Sequence, residues 1–361
     1  VLGAIEGVAD LVSNTIKLGV GSYSDRVGHR KAFMVGGYAL TGTAFALCAL
    51  AVGWPLVMAA KALAWVGKGV RGPLRNAILA DAVDPAHRGK AFGFHRAGDT
   101  LGAIAGPLIG AALIAWLPAA WFDRPSDPYR VVFLVTLVPG IGSALAFALL
   151  IREKRFTPKP GLRLGASLRL LPTRFRRALV GVGVFGAGDF SHALLILAAA
   201  VLLTPVYGAQ DAAVAAGLLY TLKNAAGAAA AYPAGWLGDR VGHRRALVAG
   251  YALGAATMAG FAVLFLTETR GAVWLGALFA LAGVYVAAEE ALEPALTADL
   301  VPDPAVRGTA MGALATVNGA GDFVASVGFG WLFALGAEYG LTAAAALMAL
   351  GALALGLTRD E

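Results

Sequence analysis

Long apolar stretches, each ended by a short polar break, run through this sequence from one end to the other. Eleven can be marked, at 1–21, 32–52, 55–81, 89–117, 130–151, 178–204, 211–235, 246–267, 271–298, 308–334 and 339–357. A hydrocarbon core of ~30 Å takes about 20 helical residues to cross, so each stretch has the length of a membrane span. Composition agrees: 14% of the residues are charged, against roughly 25% in a soluble domain whose outside must be solvated. The chain reads as an all-α, multi-pass membrane protein. Cys48 is its one cysteine, which leaves no disulfide framework and no Cys-based zinc site, and no metal or cofactor is expected. The sequence opens at Val1 without a methionine or a signal-peptide pattern, and we read the first span as missing from it.

The breaks alternate. One set carries Asp25, Arg26, Arg30 and Lys31, then Arg88 and Lys90, Asp239, Arg240, Arg244 and Arg245, and Arg307, while the other set is nearly free of Lys and Arg. The positive-inside rule places the basic set and the C-terminus in the cytoplasm. The longest break holds nine basic residues (152, 154, 155, 159, 163, 169, 174, 176 and 177) against the single acid Glu153. It divides the chain into a bundle at 1–151, a basic cytoplasmic linker at 152–177 and a second bundle at 178–361. The excess of Lys and Arg is thus a topology signal and does not point to nucleic acid.

The two halves repeat. Asp-Arg-Val-Gly-His-Arg at 25–30 recurs unchanged at 239–244, and Asp81 followed by Arg88-Gly89 matches Asp299 followed by Arg307-Gly308. Two parallel half-structures of common ancestry are the pattern of transporters built from like-oriented bundles around a midplane site. Five spans precede the linker and six follow it, so one missing span at the start would restore the symmetry.

These residues carry a family resemblance. Gly21, Asp25, Arg26, Gly28 and Arg30 fall as in the signature loop between the second and third helices of the major facilitator superfamily, and Gly235, Asp239, Arg240, Gly242 and Arg244 resemble its second-half copy. Gly102, Gly106, Pro107 and Gly110 resemble the Gly-rich fifth-helix motif of the antiporter branches. The stretch from Val66 through Asp81 to Arg88 and Phe94 is similar to a group of bacterial facilitator proteins. The resemblance implies two pseudo-symmetric six-helix bundles, with this chain beginning at span 2, and a monomer carrying a small molecule and protons through the bilayer. His29 and His243 stand where basic residues are usual, and Lys61 where span 4 usually has arginine. Charge patterning agrees with the implied layout: spans 3, 6, 9 and 12 contain no charged residue beyond their ends, which suits the lipid-facing positions.

Candidate functional residues follow from charges inside the other spans. In span 2, Glu6, Asp10 and Lys17 share a helix face within about 40° and serve either as a proton-titrating pair or as packing against a neighbouring helix. In span 4, Lys61, Lys68, Arg71 and Arg75 form one stripe whose counter-charges are a substrate anion or buried acids such as Asp10, Asp81 and Asp99. In span 5, Arg96 and Asp99 suggest a local ion pair beside His95. The second half is acidic: Asp189 and His192 in span 7, Glu289, Glu290 and Glu293 in span 10, and Asp322 in span 11, with Lys223 of span 8 as a possible partner. Desolvation disfavours a buried carboxylate and like charges add to it, which is what a proton carrier needs. Glu290 and Asp189 lead as coupling candidates, with Asp10, Glu6 and Asp322 behind them; Lys61, Lys68, Arg71, Glu289, Glu293, His192 and Lys223 are candidates for the substrate cavity. In the signature loops, Asp25 and Asp239 can accept from the N-termini of neighbouring helices, and Gly28 and Gly242 permit the tight turn.

Enzyme motifs are not found. G-x-G-x-x-G occurs at 67–72 and 181–186, but inside apolar helices, where close packing through small residues explains it. There is no Walker lysine, no G-x-S-x-G and no H-E-x-x-H. The sequence points to a secondary transporter driven by an ion gradient, exporting a small organic molecule in exchange for protons. The alternatives are a symporter or uniporter importing an organic anion, and, remotely, a membrane enzyme or lipid-handling protein on the same scaffold.

Overall fold

A computed structural model describes residues 2–118, 121–124, 126–154, 156–158 and 164–358, with the side chains of 2–11 and of Ala193 outside the described set. Among the described residues the chain is all helical. The helices are α1 (Leu2–Val27), α2 (Lys31–Leu47), α3 (Trp54–Ala82), α4 (Arg88–Trp116), α5 (Asp127–Val135), α6 (Leu137–Leu150), α7 (Leu164–Leu170), α8 (Thr173–Gly186), α9 (His192–Val241), α10 (His243–Leu266), α11 (Ala272–Leu300), α12 (Pro304–Phe333) and α13 (Ala337–Gly356). Seven stretches among the described residues are long and apolar enough to cross a membrane by length and composition: Lys31–Leu50, Pro85–Trp116, Asp127–Leu150, Leu194–Val241, His243–Leu266, Ala272–Leu300 and Ala337–Gly356. The protein is a multi-pass membrane protein.

Two breaks depart from the spans expected, and a third, at Gly208, falls in the gap expected between 204 and 211. The stretch 130–151 is two helices, α5 and α6, separated at Thr136. Pro139, three residues on, has no N–H to return to the carbonyl of Val135, which weakens the ladder there. The α9 segment is two helices joined at Gly208, whose φ of 78° no helix contains. The stretch 178–204 is likewise not one helix: α8 ends at Gly186, and Ala187–Ser191 form a turn before α9. Gly188 comes so close to the carbonyl of Ala344 that a Cβ would lie 2.7 Å from it, and Ser191 N–H donates to Ser326 Oγ at 2.9 Å. The turn is therefore tied to α13 and α12, and it carries Asp189.

The chain forms two compact units. The first comprises 1–82, 105–171 and 301–316; the second comprises 83–104, 172–300 and 317–361. Each thus borrows a helix end from the opposite half of the sequence. In the first unit, Met34, Leu74 and Ile78 form a buried cluster flanked by Val20, Tyr38 and Phe147. There α2 and α6 cross at Gly42 and Gly140, where a Cβ on Gly42 would come within 2.6 Å of the Gly140 backbone. The second unit is knitted by aromatics: Phe185 stacks on Tyr251 and Phe190 on Phe329, each at 3.7 Å between ring centroids, and Phe261 meets Phe279 edge-on at 5.4 Å. Such pairs contribute about 0.5–1.5 kcal/mol beyond their burial.

Candidate functional site

The first signature loop is built into a closed ionic cluster inside the first unit. Helix α1 ends at Val27 because Gly28 takes φ +75°, a conformation that suits only a residue without a Cβ. Asp25, one turn earlier, is buried and accepts from the N–H of Gly308 (3.1 Å), the N–H of Thr309 (2.7 Å) and the Thr309 hydroxyl (2.9 Å) in the first turns of α12. Arg30 is 1% exposed and bridges Asp25 (2.7 Å) and Asp81 (2.5 Å) while also donating to the carbonyl of Pro304. Arg307 completes the set by pairing with Asp81 and donating to the carbonyls of Val301 (3.2 Å) and Pro302 (2.7 Å). Gly21 and Gly308 face each other where a Cβ on Gly21 would collide with the opposing carbonyl. Burial pushes the Asp25 carboxyl up from its ordinary value, and the Arg30 guanidinium and Thr309 donors pull it back. Burial lowers Arg307 to about 10, with Arg30 adding to it and Asp25 opposing.

The segment after α6 closes over this loop. Glu153 accepts from the N–H of Arg30 (2.5 Å) and of Lys31 (3.3 Å), capping α2 with a carboxylate, and His29 Nδ1 lies 3.9 Å from the same group. The Arg30 guanidinium stacks at 4.3 Å over Phe156. Arg26 has no hydrogen-bond partner for its Nε among the described residues.

The second loop repeats the plan inside the second unit. Asp239 accepts from the N–H of Gly89 (2.7 Å) and of Lys90 (3.0 Å) in the first turn of α4. Gly235 meets Gly89 as Gly21 meets Gly308, and Gly242 takes φ +95° at the corner between α9 and α10. Arg88 pairs with Asp299 at 3.0 Å, as Arg307 pairs with Asp81. The bridge differs. His243 lies between Asp239 (Nε2, 3.1 Å) and Asp299 (Nδ1, 2.5 Å), in the place that Arg30 holds in the first unit. Arg240 stacks on Trp236 at 3.9 Å.

A second group of polar residues is buried in the middle of the second unit. Tyr285, Glu289 and Glu293 follow at intervals of four on α11 and so share one face. Tyr285 donates to Asp189 Oδ1 at 3.0 Å, and Glu289, one turn along the same face and buried, interacts electrostatically with Asp189. Glu293 accepts from Tyr251 of α10 and from Asn318 of α12, each at 2.5 Å. Lys223 of α9 is buried and interacts electrostatically with Asp189 and Glu289. His192 Nε2 is buried without a hydrogen-bond partner among the described residues. Two carboxyl groups buried this close interact strongly enough to titrate as a pair.

The other sequence candidates fall as follows. Glu290, next to Glu289, points away from the buried group and pairs with Arg96, their side chains being 38% and 30% exposed. His95 stands 3.4 Å from Asp99. Asp322 is exposed on α12. Lys61 and Lys68 flank Trp65 at 4.9 and 4.8 Å from its ring, and Arg71 stacks on Tyr38 at 4.7 Å. Asp81, suggested as a counter-charge for these span 4 cations, is engaged by Arg30 and Arg307. Gly102 and Gly106 of the antiporter-like motif face open space, and Gly110 lies against Val132, 3.8 Å from where its Cβ would be. Lys17 donates to Asn14 at 2.7 Å, while the side chains of Glu6 and Asp10 lie outside the described residues.

Sequence reasoning missed Glu153, Tyr251, Tyr285, Asn318 and the bridging role of His243. For His243, Asp81, Asp299, Arg88 and Arg307 the signal was present: they belong to the internal repeat, whose recurrence pairs their positions. For the tyrosines and Asn318 no local pattern marks them.

Comparison with known proteins adds to this picture. The model of the Major Facilitator Superfamily matches residues 15–326 and again 190–361. An uncharacterized MFS-type transporter of Methanocaldococcus jannaschii is 29% identical over 337 residues, covering 93% of this chain and 80% of its own. An uncharacterized protein of Mycobacterium tuberculosis is 29% identical over 358 residues, covering 92% and 78%. Among solved structures, the E. coli fucose:proton symporter superposes with a TM-score of 0.75 at 15% identity, covering 99% of this chain and 91% of that one. A bacterial homologue of the iron transporter ferroportin gives 0.75 at 14% identity, covering 99% and 90%. At these identities the solved structures speak to the fold alone.

Proposed function

The chain belongs to the major facilitator superfamily, a family of small-molecule transporters, and from that premise we propose that it couples movement of its substrate to protons through the Asp189–Glu289 carboxyl pair. The observation that carries this reading is the burial of the two acids beside each other: Asp189, in the break between α8 and α9, accepts from Tyr285 of α11 at 3.0 Å, Glu289 is buried one turn along that helix, and Lys223 is the nearby cation. Two interacting carboxyl groups can gain and lose protons as a pair, and the helix break at Asp189 leaves room for the local movement that such a change entails. Glu290, the first choice on sequence grounds, is charge-paired with Arg96. We assign it to holding α4 against α11, and we move the coupling one residue along the chain.

In this reading the protein sits in an inner membrane with the basic loops in the cytoplasm, and the two ionic clusters at 25–31 and 239–245 are latches that favour one arrangement of the transporter. Transport then requires them to open and re-form. The resemblance at Gly102–Gly110 supports export: protons entering the carboxyl pair from outside displace the substrate there, and the deprotonated pair accepts new substrate from the cytoplasm. A symporter importing an organic anion is the second reading, favoured by Lys61 and Lys68 on either side of Trp65.

Purified protein in vesicles, offered a panel of organic cations, neutral compounds and anions with and without an imposed pH difference, tests the proposal. Gradient-dependent accumulation on the side from which protons flow supports antiport, and accumulation on the side to which they flow supports symport. Substrate movement indifferent to the pH difference overturns proton coupling.

A further inference from the structure

The second latch contains a feature that the first lacks. Its bridging group is a histidine with a carboxylate on each ring nitrogen: Asp299 at Nδ1 (2.5 Å) and Asp239 at Nε2 (3.1 Å). A neutral imidazole has one N–H and can donate to one acceptor, so the other nitrogen would face a carboxylate lone pair. Both acids are held as acceptors by other groups. Asp239 receives the N–H groups of Gly89 and Lys90 at the N-terminus of α4, and Asp299 receives Arg88. The charged groups facing the ring are therefore Asp239 from α9, Asp299 from α11, and Arg88 with the α4 amides. Only a doubly protonated ring satisfies both contacts at once.

We infer that His243 is a proton-binding site separate from the buried acids, and that its proton holds the second latch closed. The first latch uses Arg30 for the same bridge, and arginine keeps its charge throughout the physiological range. Identical hexapeptides thus give one bridge that is permanently charged and one that depends on a proton. His29, the counterpart of His243, has its side chain 60% exposed and plays no such part. The sign follows from which state binds the proton. The closed latch holds it more tightly than the open one, so acid favours closure, and the latch loosens as pH rises through the titration of the closed form.

Hydrogen exchange on the full chain in lipid nanodiscs tests this without a substrate. The readout is the protection of peptides covering 86–92, corrected for intrinsic exchange, between pH 5.5 and 8.5. Wild-type protection should fall about tenfold across that range, the scale set by one linked proton. His243→Gln should show low protection with no pH dependence, and His243→Arg should be independent of pH because its charge is fixed. A flat wild-type profile overturns the inference, as does a His243→Gln or His243→Arg profile with the wild-type slope. Should neither variant fold, the wild-type profile decides alone. Asp189→Asn, which removes a buried acid of the coupling pair, should leave the slope unchanged, so this inference and the coupling proposal can fail separately.

Discussion

The two signature loops have the same six residues and build the same corner by different means. In the first, helix α2 begins at Lys31, its leading amides are capped by Glu153, and Arg30 turns inward. In the second, α10 begins two positions earlier in the repeat, at His243, directly after Gly242, and the histidine turns inward instead. The aspartates, the glycine crossings and the Arg–Asp pairs from the opposite sequence half are kept in both. A repeated motif therefore specifies the helix contact, while the chain around it selects which cation fills the bridge. At the first loop that selection involves the segment at Glu153, Phe156 and Pro158, which packs on Arg30 and Gly28.

Removing each bridge is the strongest challenge to this comparison. Arg30→Ala removes a fully buried guanidinium that both Asp25 and Asp81 face, leaving them the α12 donors and Arg307, and should destabilise the protein by about 3–5 kcal/mol, the cost of breaking a buried ion pair from one side. His243→Ala should cost less, about 1.5–3 kcal/mol, because the side chain of Asp299 is 37% exposed and water can replace the lost partner, whereas Asp25 and Asp81 are at 4% and 8%. Thermal unfolding of both variants in one detergent ranks them, and equal losses would mean that the two bridges are interchangeable. A middle-sized effect is expected at the corners: Gly28→Ala and Gly242→Ala each force an L-residue into positive φ at about 1–2 kcal/mol. Gly28→Ala should be the worse of the two, because its Cβ would press on Pro158 at 3.1 Å while that of Gly242 meets nothing. The smallest change is Glu153→Ala, which removes a helix cap worth about 0.5–2 kcal/mol. Its use is diagnostic: if Glu153 helps select the bridge, exchange protection of the Arg30 and Lys31 amides falls while that of Gly89 and Lys90 stays the same.

Membrane character and the twofold repeat were legible because lipid imposes a length on each span and ancestry repeats its motifs. Two kinds of detail were not. The helix breaks at Thr136 and Ala187–Ser191 lie within apolar stretches, where hydropathy is blind to a turn, whereas that at Gly208 falls in the gap expected between 204 and 211. The choice between Glu289 and Glu290 depends on about 100° of helix rotation, which sequence gives only once the facing helices are known. Packing of α10, α11 and α12 places Tyr251, Tyr285 and Asn318 around the Glu289 side of α11, and Arg96 on the Glu290 side.

Proton coupling through Asp189 and Glu289 is tested most directly by Glu289→Gln and Asp189→Asn in vesicles, with Glu290→Gln as the comparison. The substitutions keep shape and remove titration. We predict that Glu289→Gln and Asp189→Asn abolish substrate accumulation against its gradient under an imposed pH difference while exchange of substrate across the membrane continues. Glu290→Gln should weaken transport without uncoupling it. Accumulation that persists in both Glu289→Gln and Asp189→Asn, or that is uncoupled in Glu290→Gln alone, would contradict the assignment.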